Sequence, residues 1–498
     1  MSADIEAFER RLAQLEAELE RGGKPLFTGS EAPLVARAPG RLDVMGGIGD
    51  YSGSLTLELP LAEAAFVSVQ RTAARHVRVV SAGFGQDPPP LRDVALPLDE
   101  LRRALASYAE ARAYLSADPT RAWVAYVAGA LAALHIEDGF DIGGGLDVVV
   151  CSSVPEGKGV SSSAAVEVAS YAALSALAGL ARDPVRMALA CQRIENLVVG
   201  APCGVMDQMT SSCGREGQLL PILCQPAQLQ SGFAIPPGLA VWGVDSNIRH
   251  QVSGADYGQV RVAAFMGYTL IAHALGMPIR PAASAGRVQI DDPEYGGYLA
   301  NVGVERFERE LVGRLPERLS GAEFSSEHAG IIDPITHVVP GVTYRVRAAT
   351  AHPIHEHARA GEFRALMSSG RIDSGVCQRL GALMFEAHDS YGACGLGSTG
   401  TDRLVALARE LGPAHGLFGA KITGGGSGGT VAVLGASDAQ PAVYELARRY
   451  ARETGHPARV FSGSSCGAAA FGSARLQRAA DGWRVARSTG EPSEGASA

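Results

Sequence analysis

No apolar run in these 498 residues approaches the ~18 to 20 consecutive residues that a membrane-crossing helix needs. The N-terminus carries Asp4, Glu6 and Glu9 where a secretory leader would have a basic region and then an apolar run, so no signal peptide is expected. The eight cysteines (151, 191, 203, 213, 224, 377, 394 and 466) form no CxxC pair and no paired spacing, which fits a reducing compartment. A cytoplasmic location is therefore expected, away from any membrane. There is no basic tract either: 44 Lys and Arg against 52 Asp and Glu give a net charge of −8, so no nucleic-acid surface is expected. Any anionic ligand must be held by local groups. Nothing in the sequence sets an oligomeric state.

What the chain has in excess is glycine. The 61 glycines are about 12% of the chain against a usual ~7%, and many stand in short clusters of the kind that form ligand loops. One cluster organises the rest. Leu146-Asp147-Val148-Val149-Val150 reads as a buried strand, and the Ala/Val run after Ser163 favours a helix. Between them, Gly157, Lys158, Gly159, Val160, Ser161, Ser162, Ser163 and Ala164 make a small-residue turn. Its glycines permit close backbone approach, and the helix N-terminus beyond offers amide groups to an anion. The turn reads as a phosphate cradle or as an ordinary helix cap in a glycine-rich chain. It is not the Walker pattern, because no Gly-Lys-Ser/Thr closes it. Lys158 inside the turn either reaches a phosphate or is solvated.

Taken in order, Ile5, Phe8, Leu12, Leu15 and Leu19 lie at helical spacing with charges between them, an amphipathic helix suited to docking or to dimer contact. In the stretch from Val35 to Gly53, Pro39-Gly40 breaks a strand, and Arg41, Asp43 and Asp50 then stand among small residues. Those charges are either solvated on a loop or gathered in a pocket. Trp123 and Tyr126 share a helix face, as core residues or as a platform for a base. Asp207, after Pro202-Cys203-Gly204, is a carboxylate among Met and Val that must be paired, employed or used as a helix cap. The strand from Val241 ends in a polar cluster through Asn247, Arg249 and His250, with Tyr257 beyond. The run from His352 to His357 invites a metal reading, but His355 and His357 diverge on a helix and no cysteine or carboxylate cluster joins them. Helices are expected at 402–411 and 438–454, around a glycine loop from Thr423 to Gly429 that runs into a strand. Beyond about Leu476 the Ser, Gly, Glu and Pro content points to a disordered tail.

Three of these stretches, Pro39-Gly40-Arg41 with Gly46 and Asp50-Tyr51, Gly159-Val160-Ser161-Ser162-Ser163-Ala164-Ala165, and Thr423-Gly424-Gly425-Gly426-Ser427-Gly428-Gly429, resemble the ordered motifs of the galactokinase, homoserine kinase, mevalonate kinase and phosphomevalonate kinase (GHMP) superfamily. The likeness covers about residues 33 to 473 and includes Cys203-Gly204-Val205-Met206-Asp207-Gln208 between the second and third motifs. It leans to the galactokinase branch. Asp43 to Gly53 and Ser390 to Ser398 are similar to the kinase part of the L-arabinokinase group, whose plant members carry a glycosyltransferase-like half without a counterpart in these residues.

The resemblance implies an α+β fold of two domains. They are an N-terminal ribosomal-protein-S5-like α/β domain over 31–225 and a C-terminal ferredoxin-like α/β domain over 226–475, with the active site between them. The amphipathic helix occupies 1–30 and the tail 476–498. It further implies ATP and Mg2+ as cofactors and a small-molecule sugar as substrate. Asp207 would accept the proton of the anomeric hydroxyl and Arg41 would offset charge at the phosphoryl group. Ser163 and Glu195 would hold the metal. The loop from Gly157 to Ala164 would hold phosphates, and Trp123 and Tyr126 would flank the adenine. Asp50, Gly47, Ile48, Gly204, Asn247, Tyr257, Gly425 and Gly426 would surround the sugar.

One departure bears on the substrate. Galactokinases carry Glu-His between the Gly and the Asp of the first motif, and the Glu bonds the sugar's O6; here the pair is Gly47-Ile48. L-Arabinopyranose has the galactopyranose ring configuration without the hydroxymethyl group. A buried O6 without a partner would cost galactose ~1 to 3 kcal/mol, up to about a hundredfold in discrimination. A uronic acid would need a cation beside Ile48. Galactokinase or broader sugar kinase activity is the alternative, and a non-catalytic sugar sensor a more distant one. Such sensors have lost part of the serine motif, which is intact from Ser161 to Ala165 here.

Overall fold

A computed structural model describes residues 2–85, 89–181, 183–248, 255–480 and 482–486. The first half is built on one large sheet: β1 (Leu34–Met45), β2 (Leu55–Thr72), β3 (His76–Gly83), β4 (Arg92–Pro97), β5 (Gly145–Ser152) and β6 (Gln218–Leu223). β2 is long enough to pair with β1 on one side and, on the other, with β5 at one end and β6 at the other. Only the β3–β5 pairing is parallel among the pairs of this sheet. The β-branched residues of β5 face both ways into packed layers, as a central strand requires. Helices α2 (Ala125–Asp138) and α3 (Ser162–Leu177) cover one face through Leu131, Val168 and Leu174.

The second half is a four-stranded antiparallel sheet of β7 (Leu239–Asp245), β8 (Leu417–Ile422), β9 (Thr430–Ala436) and β10 (Arg459–Phe461), in the order β8-β9-β7-β10. Leu404, Leu407, Val443 and Leu446 from two amphipathic helices pack on Trp242, Val244 and Val433. Those helices span Thr399–Leu411 and Gln440–Thr454, close to the expected 402–411 and 438–454. A long helix, Ala255–Ala274, packs against another, Val346–Met367.

The amphipathic N-terminal helix, α1 (Ser2–Arg21), docks on the outer face of the first sheet, with Phe8 stacked on Phe66 at 4.5 Å between ring centroids. Asp4 reaches Arg37, which is wholly buried, at 2.6 Å. The expected tail starts too early. Strands Ser473–Ala479 and Gly482–Ala486 pair antiparallel and add to β1, with Leu476 fully buried and Trp483 Nε1 donating to Glu16. Their apolar alternation outweighs the polar composition that follows; residues 487–498 lie outside the described residues. The first sheet also recruits short strands at Gln228–Leu229 and Phe233–Ala234, so the crossing into the second half comes nearer Leu239 than residue 226. Among the described residues no helix is long and apolar enough to cross a membrane.

Candidate active site

The turn after β5 needs left-handed backbone at Gly157 (φ 70°), Gly159 (φ 71°) and Ser161 (φ 58°). The first two are what glycine is for; the third is strained for serine. Ser161 is the residue before α3, yet its hydroxyl caps nothing and is buried without a hydrogen-bond partner among the described residues. The first turn of α3 thus keeps its amide groups unspent, as an anion site requires. A cavity of about 250 Å³ opens beside it, lined by Gly157, Ser162, Ser163, Val150, Trp123 and Tyr126. Trp123 and Tyr126 therefore line the cavity, and Trp123 also packs against the main core. Arg92 lines the same cavity, with its guanidinium 5.7 Å from the Trp123 ring centre and 3.0 Å from Glu156. Neither Arg92 nor Glu156 stands in a recognisable motif, and sequence reasoning missed both.

Lys158 departs from the phosphate-binding expectation. Its Nζ donates to Asn247 Oδ1 at 2.6 Å and lies 3.0 Å from Asp245 Oδ2, at the end of β7. Asn247, expected at the sugar, is engaged by that lysine. Arg249 and His250 lie outside the described residues.

Gly40 lets β1 shift register and press against the turn. A Cβ there would stand 2.6 Å from the Val160 oxygen, which accepts from Arg41 N at 3.1 Å. Arg41, 2% exposed, then reaches Asp207 Oδ1 with Nε (2.9 Å) and Nη2 (2.7 Å) and the Gly159 oxygen with Nη1 (2.7 Å). Burial opposes the arginine's charge, but Asp207, Glu58 and Asp43 raise its pKa further still. Asp207 lies in the first turn of the helix Met206–Cys213, whose cap residue is Val205; it does not act as the cap. Beneath the pair are Glu58 and Asp43, both fully buried. Lys421 Nζ meets Asp43 at 2.7 Å, while burial and the Asp43 charge push the Glu58 carboxyl well above its usual range.

Asp50 opens a short turn, Asp50–Ser52, and is 5% exposed. Burial, then the charge of Asp207, raises its pKa to about 6, against the pull of Arg261. Gly204 makes room for it: a Cβ there would come within 1.8 Å of Asp50 Oδ2. Tyr257 stands edge-on to Tyr51 at 5.8 Å and close to Gly425, while Gly426 turns the loop at φ 76°. Arg261 braces this wall through a two-pronged pair with Asp333 at 2.8 Å for each bond. Asp50, Gly204, Tyr257, Gly425 and Gly426 thus gather near Asp207. Gly47 is packed so tightly that a Cβ would fall 2.0 Å from the Tyr391 hydroxyl. Ile48 does not line an open wall; its side chain is fully buried with Val260 and Leu396, on a backbone at φ 51°.

Ser163 and Glu195 lie within hydrogen-bond reach of each other. Burial and the Asp207 charge push the Glu195 carboxyl up to about 7, against a hydrogen bond from Ser163. Gln208 Nε2 donates to Glu195 at 2.6 Å and to Glu167 at 3.3 Å. Glu167, one helical turn after Ser163, is wholly buried and has an oxygen without a hydrogen-bond partner. Among the described residues no group of three or more His, Cys, Asp or Glu is placed to hold a metal. Two buried carboxylates without a basic partner still suit a Mg2+ ion, which takes one or two protein ligands and fills the rest with phosphate oxygens and water.

The His352 to His357 run holds the first motif instead of a metal. His352 Nε2 donates to the Gly47 oxygen (2.9 Å), Glu356 accepts from Gly46 N (2.9 Å), and His357 Nδ1 accepts from Leu55 N (3.0 Å).

A phosphate-type turn at one domain's helix and an aspartate–arginine pair facing a glycine loop from the other define a two-domain small-molecule kinase fold. The chain matches the family models described as GHMP kinases N terminal domain over residues 125–215 and GHMP kinases C terminal over residues 374–452, and so carries both domains of the GHMP kinase fold. It is 42% identical over 497 residues to L-arabinokinase of Arabidopsis thaliana, covering 91% of this chain and 48% of that protein; the chain spans about half the length of that relative. It is 28% identical over 449 residues to a galactokinase of Chloroflexus aggregans, covering 89% of this chain and 93% of the other. Among solved structures, Lactococcus lactis galactokinase complexed with galactose has the same fold, with a TM-score of 0.65 at 17% identity over 92% of this chain and 98% of that one.

Proposed function

We propose that the chain is an ATP-dependent sugar 1-kinase that converts L-arabinose to L-arabinose 1-phosphate in the cytoplasm. The observation that carries the reading is the Arg41–Asp207 pair, held between the phosphate turn and the glycine loop. Phosphoryl transfer asks a protein chiefly for positioning and charge neutralisation, and a hydroxyl nucleophile asks for a proton acceptor. Asp207 takes the proton of the anomeric hydroxyl. Arg41, fixed by Asp207 and Gly159, offsets the charge that builds on the transferred group. Asp50 and Tyr257 orient the sugar, and Trp123, Tyr126 and Arg92 hold the base. A Mg2+ ion on Ser163 and Glu195 would neutralise phosphate charge.

The choice of arabinose rests on what the pocket lacks. Neither Gly47, with no side chain, nor Ile48, sealed in the core, offers a hydrogen bond to a hydroxymethyl group. The 42% identity to L-arabinokinase supports the same reading. The test is ADP release with Mg2+ and ATP on L-arabinose, D-galactose and D-galacturonate at equal concentration. Arabinose should give the highest kcat/KM. Galactose matching it would overturn the substrate but leave the kinase; no turnover with any sugar would overturn both.

A further inference from the structure

The lysine of the phosphate turn is bound into the other half of the protein. Lys158 is 7% exposed, and its Nζ is spent on Asn247 and Asp245. Asp245, 2% exposed, also accepts from Asn247 N at 2.8 Å, which fixes Asn247 in left-handed backbone at φ 52°. The main chain of Lys158 is gripped as well. Its oxygen accepts from Thr430 Oγ1 at 2.8 Å, and Gly429 approaches so closely that a Cβ would stand 2.6 Å from that oxygen. The Gly429 oxygen in turn accepts from Ser246 N (2.9 Å) and Oγ (2.8 Å), beside the lysine's carboxylate partner.

The residue after Lys158 is Gly159, whose oxygen holds Arg41 Nη1. A shift of the lysine therefore moves both the phosphate turn and the arginine that fixes Asp207. Withdrawing the lysine to a phosphate would strand Asp245, a buried carboxylate, without its cation.

We propose that Lys158 is a positioning residue that latches the phosphate turn to the glycine loop and the end of β7, holding the nucleotide side in register with Arg41 and Asp207, and is not a phosphate ligand. This rests on the kinase reading for its consequence, though the latch itself can be measured without turnover.

The experiment compares Lys158→Met, Asp245→Asn and the double variant with the wild type in four readouts: kcat, Mg-ATP affinity by calorimetry, thermal stability, and hydrogen exchange of the amides of residues 157–163. A misplacement of this kind costs on the order of 10- to 100-fold. Lys158→Met should lower kcat by about that much while Mg-ATP affinity stays within about twofold, with Asp245→Asn showing the same pattern. The double variant should regain the thermal stability lost by Lys158→Met, since no carboxylate is left unpaired, yet keep its low kcat. Exchange at residues 157–163 should quicken in all three, whether or not a sugar is turned over. Tenfold weaker Mg-ATP binding in Lys158→Met alone would make the lysine a phosphate ligand and overturn the proposal. So would wild-type kcat in the double variant, or unchanged exchange. A wild type that phosphorylates no sugar would sink the kinase reading instead, and exchange would then decide the latch.

Discussion

Arg41 holds one oxygen of Asp207 with two nitrogens, at 2.9 and 2.7 Å. The other carboxylate oxygen makes no hydrogen bond among the described residues, and the Asp207 side chain is 21% exposed where that of Arg41 is 3%. One oxygen is thus fixed and the other offered to the cleft. That division suits a proton acceptor whose orientation is set by an arginine that also faces the reacting group.

Replacing Asp207 by Asn should remove the acceptor and lower kcat by about 10²- to 10⁴-fold. The fold should survive it. Asp207 is a repulsive neighbour that raises the pKa of Asp50, Glu58 and Glu195, so neutralising it relieves charge crowding even as Arg41 loses a partner. Thermal melts beside steady-state kinetics check this: inactivity without a large fall in Tm is expected, whereas a collapse of Tm would make Asp207 a structural residue.

Asp50 gives a pH signature. Its folded pKa of about 6 lies above the ordinary 3.8, so the folded state prefers the protonated carboxyl. Its contribution to stability is therefore complete below about pH 4 and is lost as pH rises through about 6. At ~1.36 kcal/mol per pH unit the gap is worth roughly 3 kcal/mol at most. Asp50→Asn should abolish this loss, leaving the variant more stable than wild type at pH 8 and equal at pH 4 by urea unfolding, while its sugar KM rises. Parallel pH profiles for the two proteins would contradict the assignment.

Gly204 should tolerate no side chain, because a Cβ there would overlap Asp50. Gly204→Ala is expected to displace that carboxylate and raise the sugar KM by about tenfold or more, since sub-ångström placement governs such contacts. Mg-ATP affinity should change much less, because Gly204 is not among the residues that line the cavity beside α3. Equal losses in both affinities, measured by calorimetry, would mean a general disturbance of the fold.

Much of this was legible in the sequence where local chemistry and motif order agree: the strand–turn–helix around Ser161, the glycine loop before β9, and the Arg41 and Asp207 stretches. What escaped depends on long-range packing. Lys158 reads as a phosphate ligand until Asp245, 87 positions on, takes its charge. Arg92 and Glu156 were not singled out, and they meet because β4 begins beside the phosphate turn. Ile48 looked like a pocket wall, but its left-handed backbone sends the side chain into the core. The strand pair that includes Leu476 was hidden because a few apolar residues against α1 outweigh a polar composition.

The His352 to His357 run yields the last expectation, since its divergent spacing spoke against a metal and its contacts show a brace. Burial pushes the His352 pKa down to about 4, so the ring is neutral at physiological pH. Nε2 must carry its hydrogen to serve the Gly47 oxygen, and Nδ1 accepts from Ser390 Oγ at 2.7 Å. That brace and the Glu356 contact to Gly46 N hold Ile48 at φ 51°, a conformation costly for a β-branched residue. His352→Ala leaves a buried carbonyl unpaired and should destabilise the protein by about 2 to 4 kcal/mol. It should also raise the sugar KM more than the Mg-ATP Kd, because Asp50 follows Ile48 by two residues. His352→Gln, which keeps a donor, should recover most of the sugar affinity. If both variants lose stability but bind sugar like the wild type, the brace serves folding alone.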